Sequence, residues 1–312
     1  MNRLSNSLDF KAAIKFKFRQ KFLPVRGVLG FVLGLVSVFS LVGYCQAEPT
    51  KVANKIGKYP ASLLIKTRTA TIYPESLKVF TWVTTHADFR KKRDSEGDMH
   101  DLPTGMHNRR TTSILWGEYG LNGRFQFGVG LPYVFRDFQN EAVSVHDTPR
   151  GLGDIWLYGK YKVLPETSTR PALSADLWVK TSTGDVDKGL GSGYTDVKIT
   201  LEISKRFNDI SLHLNPEYTF SGGSHSKRGD AADDIIAVNF GGMYHVNPKV
   251  IPMLEVNGLW WGDLGHSVDI GGGALFLFGK NTSLKLAVSI PVDVDMPWST
   301  KWTPWIKAAV WF

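Results

Sequence analysis

The 312-residue chain carries 37 Lys plus Arg against 29 Asp plus Glu, a formal net charge of +8, and a single cysteine. Residues 1–47 hold 7 of those bases and 1 of the acids, leaving 30 and 28 beyond them, so the basic excess belongs to the leader and gives no support to nucleic-acid binding. After residue 47 no apolar run approaches the roughly 20 residues of a membrane-spanning helix, which excludes a helical inner-membrane protein.

Arg3, Lys11, Lys15, Lys17, Arg19, Lys21 and Arg26 precede an uncharged run that starts at Gly27, the n-region and h-region of a secretory signal. Ala47, with Cys45 two residues before it, offers a small-x-small processing site. Residues 1–47 are therefore expected to be a cleaved signal peptide, with Glu48 as the mature N-terminus. The alternative is a retained anchor, disfavoured because the processing site follows directly and the remaining chain reads as an exported barrel. Tyr44 stands where a lipoprotein site would have a small residue, so Cys45 is not read as a lipid acceptor. Beyond it there is no cysteine for a disulfide or for thiolate chemistry. Residues 48–75 lack sustained alternation and are read as a periplasmic N-terminal extension or as a plug folded into a lumen.

From residue 76 onward the period is two. The first strand, Leu77 to Phe89, is expected to turn Leu77, Val79, Val83, Ala87 and Phe89 outward and Lys78, Trp82, His86 and Asp88 inward. A long polar loop follows, then a strand over about 110–121, a tight turn at Asn122 and Gly123, and a third strand over about 124–136. That strand sets Phe125, Phe127, Val129, Leu131, Tyr133 and Phe135 against Gln126, Gly128 and Gly130. The next two strands form a hairpin. Ile155, Leu157, Tyr161 and Val163 oppose Asp154, Trp156, Tyr158, Lys160 and Lys162, and after the turn Leu173, Ala175, Leu177 and Val179 oppose Ser174, Asp176, Trp178 and Lys180. The sixth strand sets Val197, Ile199, Leu201 and Ile203 against Asp196, Lys198, Thr200, Glu202 and Ser204. In the seventh, Leu212, Leu214, Tyr218 and Phe220 oppose His213, Asn215 and Glu217. Five more strands follow, over about 235–246, 250–261, from residue 267, 283–292 and 301–312.

Strands crossing a bilayer at a slant need about 9–11 residues, longer than the average soluble strand. One apolar and one charged face fit lipid outside and a polar lumen inside. The expected fold is thus an antiparallel transmembrane β-barrel of about twelve strands, spanning 76–312. Short turns alternate with longer loops, as periplasmic turns and outer loops do, and this places both termini in the periplasm of a cell with a Gram-negative-type outer membrane. Ile306, Ala308, Val310 and Phe312 share a face, and a last strand ending in Phe resembles the signal read by the outer-membrane assembly machinery. Trp260, Trp261, Trp298, Trp302, Trp305 and Trp311 lie near strand ends, where amphipathic rings suit the membrane interface.

Gly151, Gly153, Asp154, Lys160 and Tyr161, then Lys180, Thr183, Gly184 and Asp185, and the stretch from Tyr194 to Phe207 resemble the outer-membrane β-barrel family named for the MetA-pathway of phenol degradation. The resemblance covers most of the chain from about residue 76. It implies a channel or transporter, with a link to uptake of aromatic or other poorly soluble compounds.

Function is expected in the lumen. The inward residues singled out as pore-lining are Asp154, Lys160, Asp176, Lys180, Asp196, Lys198, Glu202, His213 and Glu217; Glu118, Arg124, Glu255 and Lys285 are also expected inside. The expected function is passive diffusion of small molecules through lumen side-chain fields. Its alternative is a salt-bridged, filled barrel that conducts little, since about twelve strands fall between filled and open barrels. The partners are bilayer lipid, the assembly machinery and a solute. No cofactor is implied, and oligomeric state is not readable. A lipid-modifying enzyme would need a nucleophile and base on the outer wall, but Ser211 with His213 and Thr84 with His86 are expected inside, and no Gly-x-Ser-x-Gly elbow is present. A structural or adhesive barrel using its outer loops is the third reading. Asp94, Glu96, Asp98, His100, Asp101 and His107 enrich the first long loop in oxygen and imidazole ligands without EF-hand spacing, and are read as a solvated loop. Gly184, Gly189, Gly191 and Gly193 are read as a flexible loop, because no helix N-terminus follows them.

Overall fold

The computed structural model describes residues 65–94, 98–222, 233–245 and 247–312. Residues 1–47, expected to be a signal peptide, lie outside them. Twelve long strands follow one another: β1 (Lys78–Arg93), β2 (Met106–Gly120), β3 (Phe125–Asn140), β4 (Trp156–Leu164), β5 (Ala172–Lys180), β6 (Asp196–Phe207), β7 (Ile210–Phe220), β8 (Ile235–Tyr244), β9 (Val250–Trp261), β10 (Gly265–Phe278), β11 (Thr282–Asp295) and β12 (Thr303–Trp311). Each pairs antiparallel with its sequence neighbours, and β1 pairs with both β2 and β12, which closes the sheet. The antiparallel barrel expected from the alternation is therefore formed, with the expected strand count. Closure leaves no sheet edge along the barrel and satisfies the backbone without water.

The two faces differ as lipid and lumen demand. Phe125, Phe127, Val129, Leu131, Tyr133 and Phe135 are all exposed along β3, while Gln126 is 3% exposed between them. On β6, Ile199 and Leu201 are exposed, and Thr200 and Glu202 are fully buried. Apolar groups outside and polar groups inside reverse the order of a water-soluble domain, as expected for a wall facing hydrocarbon.

The first strand runs in the opposite frame to the one expected. Val79 and Thr81 are each 1% exposed and lie inside, whereas Phe80 and Trp82 are each 45% exposed and lie outside. The pairing of β1 with β2 is unbroken from Lys78↔Tyr119 to Phe89↔Asn108, so Thr84, His86 and Asp88 share the outward face of Trp82. The cause is a lumen cluster in which Val79 packs with Tyr73, Met243, Ile251, Met253, Leu275, Leu277 and Trp311. Here apolar residues fill the inside as well, and hydrophobicity no longer tells one face from the other. The same cluster takes Trp311, 7% exposed, away from the membrane interface. Trp305 shares its inward face and donates to Ser289 Oγ at 3.1 Å.

Four short strands extend one end of the barrel. Met99–Asp101 and Trp298–Thr300 pair with β1, while Val145–Asp147 and Arg150–Leu152 pair with β3. At the other end, Lys78 and Phe312 exchange backbone hydrogen bonds of 3.0 and 3.1 Å. The seam between β1 and β12 is paired only from Val79↔Trp311 to Thr85↔Trp305, and β1 resumes pairing at Phe89↔Thr300. Pro304, which has no N–H, sits where this ladder stops.

Candidate functional site

Residues 65–73 run through the lumen without strand pairing, and the wall satisfies their backbone. Glu255 accepts from the amides of Lys66 at 2.9 Å and Thr67 at 3.0 Å. Asn215 receives the Arg68 amide and donates Nδ2 to its carbonyl at 3.1 Å. Ser204 Oγ accepts from Ala70 N, and Ser174 Oγ donates to Ala70 O, both at 2.8 Å. Gln126 accepts from Tyr73 N at 2.9 Å, and the Tyr73 hydroxyl donates to Glu118 at 3.0 Å. Buried backbone groups need such partners, and here they come from β3, β4, β5, β6, β7 and β9. Sequence reasoning left 48–75 open between an extension and a plug; residues 48–64 lie outside the described residues, and residues 65–73 run inside.

Charges hold the segment at the barrel centre. Arg68 Nε donates to Glu202 Oε1 at 2.7 Å, and Nη2 is 3.2 Å from Asp176 Oδ2. Lys160 Nζ contacts Glu202 and donates to Thr69 O. Lys66 pairs with Asp269. Lys160 and Asp176 face each other across β4 and β5, and Asp176 faces Thr200 across β5 and β6, which fixes these groups at one height.

The remaining residues singled out from the sequence lie on the same inward faces. Lys180 pairs with Asp196 and is 4.0 Å from Asp154, and Lys198 pairs with Glu217 at 3.1 Å. His213 Nδ1 is 2.8 Å from Ser204 Oγ, and its Nε2 is 3.2 Å from Ser211 Oγ. Ser211 continues to His245 Nε2 at 2.8 Å. This Ser–His pair is buried in the lumen, as expected. The Thr84–His86 pair is not, and its partners are on the neighbouring strand: Thr84 with Ser113 at 2.8 Å and His86 with Thr111 at 2.9 Å. Lys78 and Arg124 are exposed at the rim, whereas Glu255 and Lys285 are buried.

Sequence reasoning missed Arg68, whereas the rings around it include Tyr158 and Trp178, which the alternation sets on the inward face. Tyr158 and Trp178 stack at 4.4 Å, and Trp116 meets Trp178 edge-on at 5.5 Å. The cavity bordering Arg68, Tyr73, Trp116, Tyr158 and Trp178 measures about 30 Å³. That admits waters but is far below the ~150 Å³ of a cavity that takes up benzene. A second cavity of about 770 Å³ lies at the seam, lined by His86, Asp88, Arg90, Met106, Lys301 and Trp302 among others.

The loop 181–195 is folded back rather than free. Asp154 accepts from Gly184 N at 2.9 Å and from Ser192 N at 2.8 Å, and Leu190 is 4% exposed. A Cβ on Gly184 would stand 2.7 Å from Gly191 Cα, so the glycines permit close backbone approach. In the first outer loop, Asp94, Asp98 and His100 lie together in the open. Asp94 accepts from Asp98 N at 2.9 Å and sits 2.8 Å from His100 Nε2.

The barrel is similar to the COG4313 outer membrane channel from Pseudomonas putida F1, at 13% identity with a TM-score of 0.64, over 78% of this chain and 98% of that one. Weaker likenesses are to the NanC porin (7% identity, TM-score 0.49, 74% and 98% covered) and to a mutant of the monoaromatic hydrocarbon channel TodX (13%, 0.44, 76% and 90%). At these identities the likeness to the first establishes the fold. The family model for the MetA-pathway of phenol degradation matches residues 97–296, most of the barrel, and the chain belongs to that family.

Proposed function

We propose that this chain is a passive outer-membrane channel for small molecules, aromatic and other poorly soluble compounds among them, with residues 65–73 acting as a plug. The observation that carries this reading is a closed barrel whose interior, polar around Arg68, is obstructed by a segment that the described wall residues hold through their side chains. Such contacts can be exchanged without unpairing a strand. In this reading Asp154, Lys160, Asp176, Lys180, Asp196, Lys198, Glu202, His213 and Glu217 line the path that opens when the segment moves, and their mixed charges select the solute. The rim at Lys78 and Phe312 faces the periplasm, and the strand ending at Phe312 engages the assembly machinery. Residues 1–47 are removed on export. The kinship with aromatic-compound degradation supports the solute class, as do the inward faces of Trp116, Tyr158 and Trp178.

Catalysis is not part of the proposal. Ser211 and His213 are enclosed in the lumen, and outward-facing His86 is hydrogen-bonded to Thr111 while Asp88 pairs with Arg90 and Arg109 instead. Phospholipid turnover by the wild type that is lost in His86→Ala would overturn this point.

The test is the conductance of the refolded chain in a planar bilayer. Discrete current steps, more frequent when the segment's anchors are removed, are the expected result. Silence from a verified folded barrel in both forms would establish a filled, non-conducting barrel instead.

A further inference from the structure

Asp176 and Glu202, from successive strands, lie 2% and 0% exposed beside the stacked rings of Tyr158 and Trp178. Arg68 fills the space between acids and rings. Its Cζ stands 4.2 Å from the Trp178 centroid and 4.9 Å from that of Tyr158, while its edge meets both carboxylates. A flat cation suits this enclosure better than a compact one. Ring faces attract the charge, and two carboxylates take donors lying in one plane.

Two observations separate the enclosure from its occupant. The wall groups sit on strands in regular register, Tyr158↔Trp178 and Lys160↔Asp176 across β4 and β5, then Asp176↔Thr200 and Ser174↔Glu202 across β5 and β6. Arg68 arrives on a segment with no such pairing. Arg68 also leaves the site unsaturated: Asp176 Oδ1 and Trp178 Nε1 are buried without a hydrogen-bond partner, and the Arg68–Asp176 contact is an ion pair without an aligned hydrogen bond. A free ligand able to reorient gains a bidentate contact that the tethered arginine does not make.

We propose that this enclosure is a recognition site for planar organic cations, guanidinium and amidinium compounds, with Arg68 as its internal ligand, and that such a solute displaces Arg68 and with it residues 65–73. The exchange preserves charge, because one cation leaves the two carboxylates as another arrives. No buried acid is stranded, which is the state that makes breaking an internal ion pair costly. The displacement step rests on the plug reading above; the binding step does not.

Benzamidine is the probe, and benzamide, its neutral counterpart, the control. In calorimetric titration of the folded full chain in detergent, Arg68→Ala is expected to bind benzamidine saturably and at least tenfold more tightly than the wild type, which carries an internal competitor. Benzamide should give no saturable heat, and adding Asp176→Asn should abolish benzamidine binding. Arg68→Gln serves in place of the alanine variant if that one does not fold. Equal binding of the two probes, or binding that survives Asp176→Asn, overturns the site. For the wild type in a planar bilayer, benzamidine and not benzamide is expected to lengthen open times severalfold. Unchanged open times with intact calorimetric binding overturn the displacement step. A chain silent in every bilayer experiment overturns the channel reading, while the titration still decides the site.

Discussion

Glu202 is shared between Arg68 and Lys160, so one fully buried carboxylate ties the lumen segment and β4 to β6. Removing one partner of a buried ion pair costs about 3–5 kcal/mol, because the other charges remain. Glu202→Gln is therefore expected to release residues 65–73 from the wall, read as faster cleavage after Lys66 by a lysine-specific protease. Cleavage at the wild-type rate would show that charge does not hold the segment.

Gly130 lies against an aromatic ring that leaves no room for a methyl group. A Cβ there would stand 2.7 Å from Trp116, whereas a Cβ on Gly159 would meet nothing within 4 Å. Gly130→Ala is expected to destabilise the barrel by about 1–3 kcal/mol through overpacking, and Gly159→Ala to leave it unchanged. The temperature at which the folded band disappears on semi-native electrophoresis compares the two, and equal temperatures would contradict this packing.

Leu177 points outward from β5 with 52% of its surface exposed, and Val143 is 63% exposed in the stretch between β3 and β4. If the β5 face meets hydrocarbon, Leu177→Arg costs about 2–4 kcal/mol, while Val143→Arg stays within about 0.5 kcal/mol. Urea titrations in lipid vesicles measure both. A similar shift at the two positions would count against the lipid face.

His245 follows β8 at a turn and is held largely neutral. Burial, with Arg206 adding to it, lowers its pKa from 6.5 to about 4. The unfolded chain takes up a proton as pH falls through 6.5, and the folded chain refuses it until about 4. Its contribution to stability is thus complete above 6.5 and is lost progressively toward pH 4. Urea midpoints measured across that window should fall less steeply for His245→Gln than for the wild type; parallel curves would remove His245 from the acid response.

The barrel was legible because most strands keep one chemistry on each face. Asp154, Lys160, Asp176, Glu202 and His213 were placed inside by parity alone. Parity failed at Val79 and Trp82, where the lumen is itself apolar and either frame buries comparable grease. Arg68 was hidden for a different reason: its segment has no period, and its partners come from strands more than 100 residues away. One signal was available. Asp176 and Glu202 face inward on neighbouring strands, and Lys160 is the strand cation in contact with Glu202, so the pair calls for a further cation, which Arg68 supplies.

The sharing of Glu202 also bears on how such a sequence diversifies. Arg68, Lys160, Asp176 and Glu202 form one electrical unit, and a lone charge change in it leaves a buried ion unmatched. Drift at these four positions should therefore proceed by paired replacement, so that among descendants of this chain they are inherited together or exchanged together, while the lipid-facing residues beside them vary one at a time.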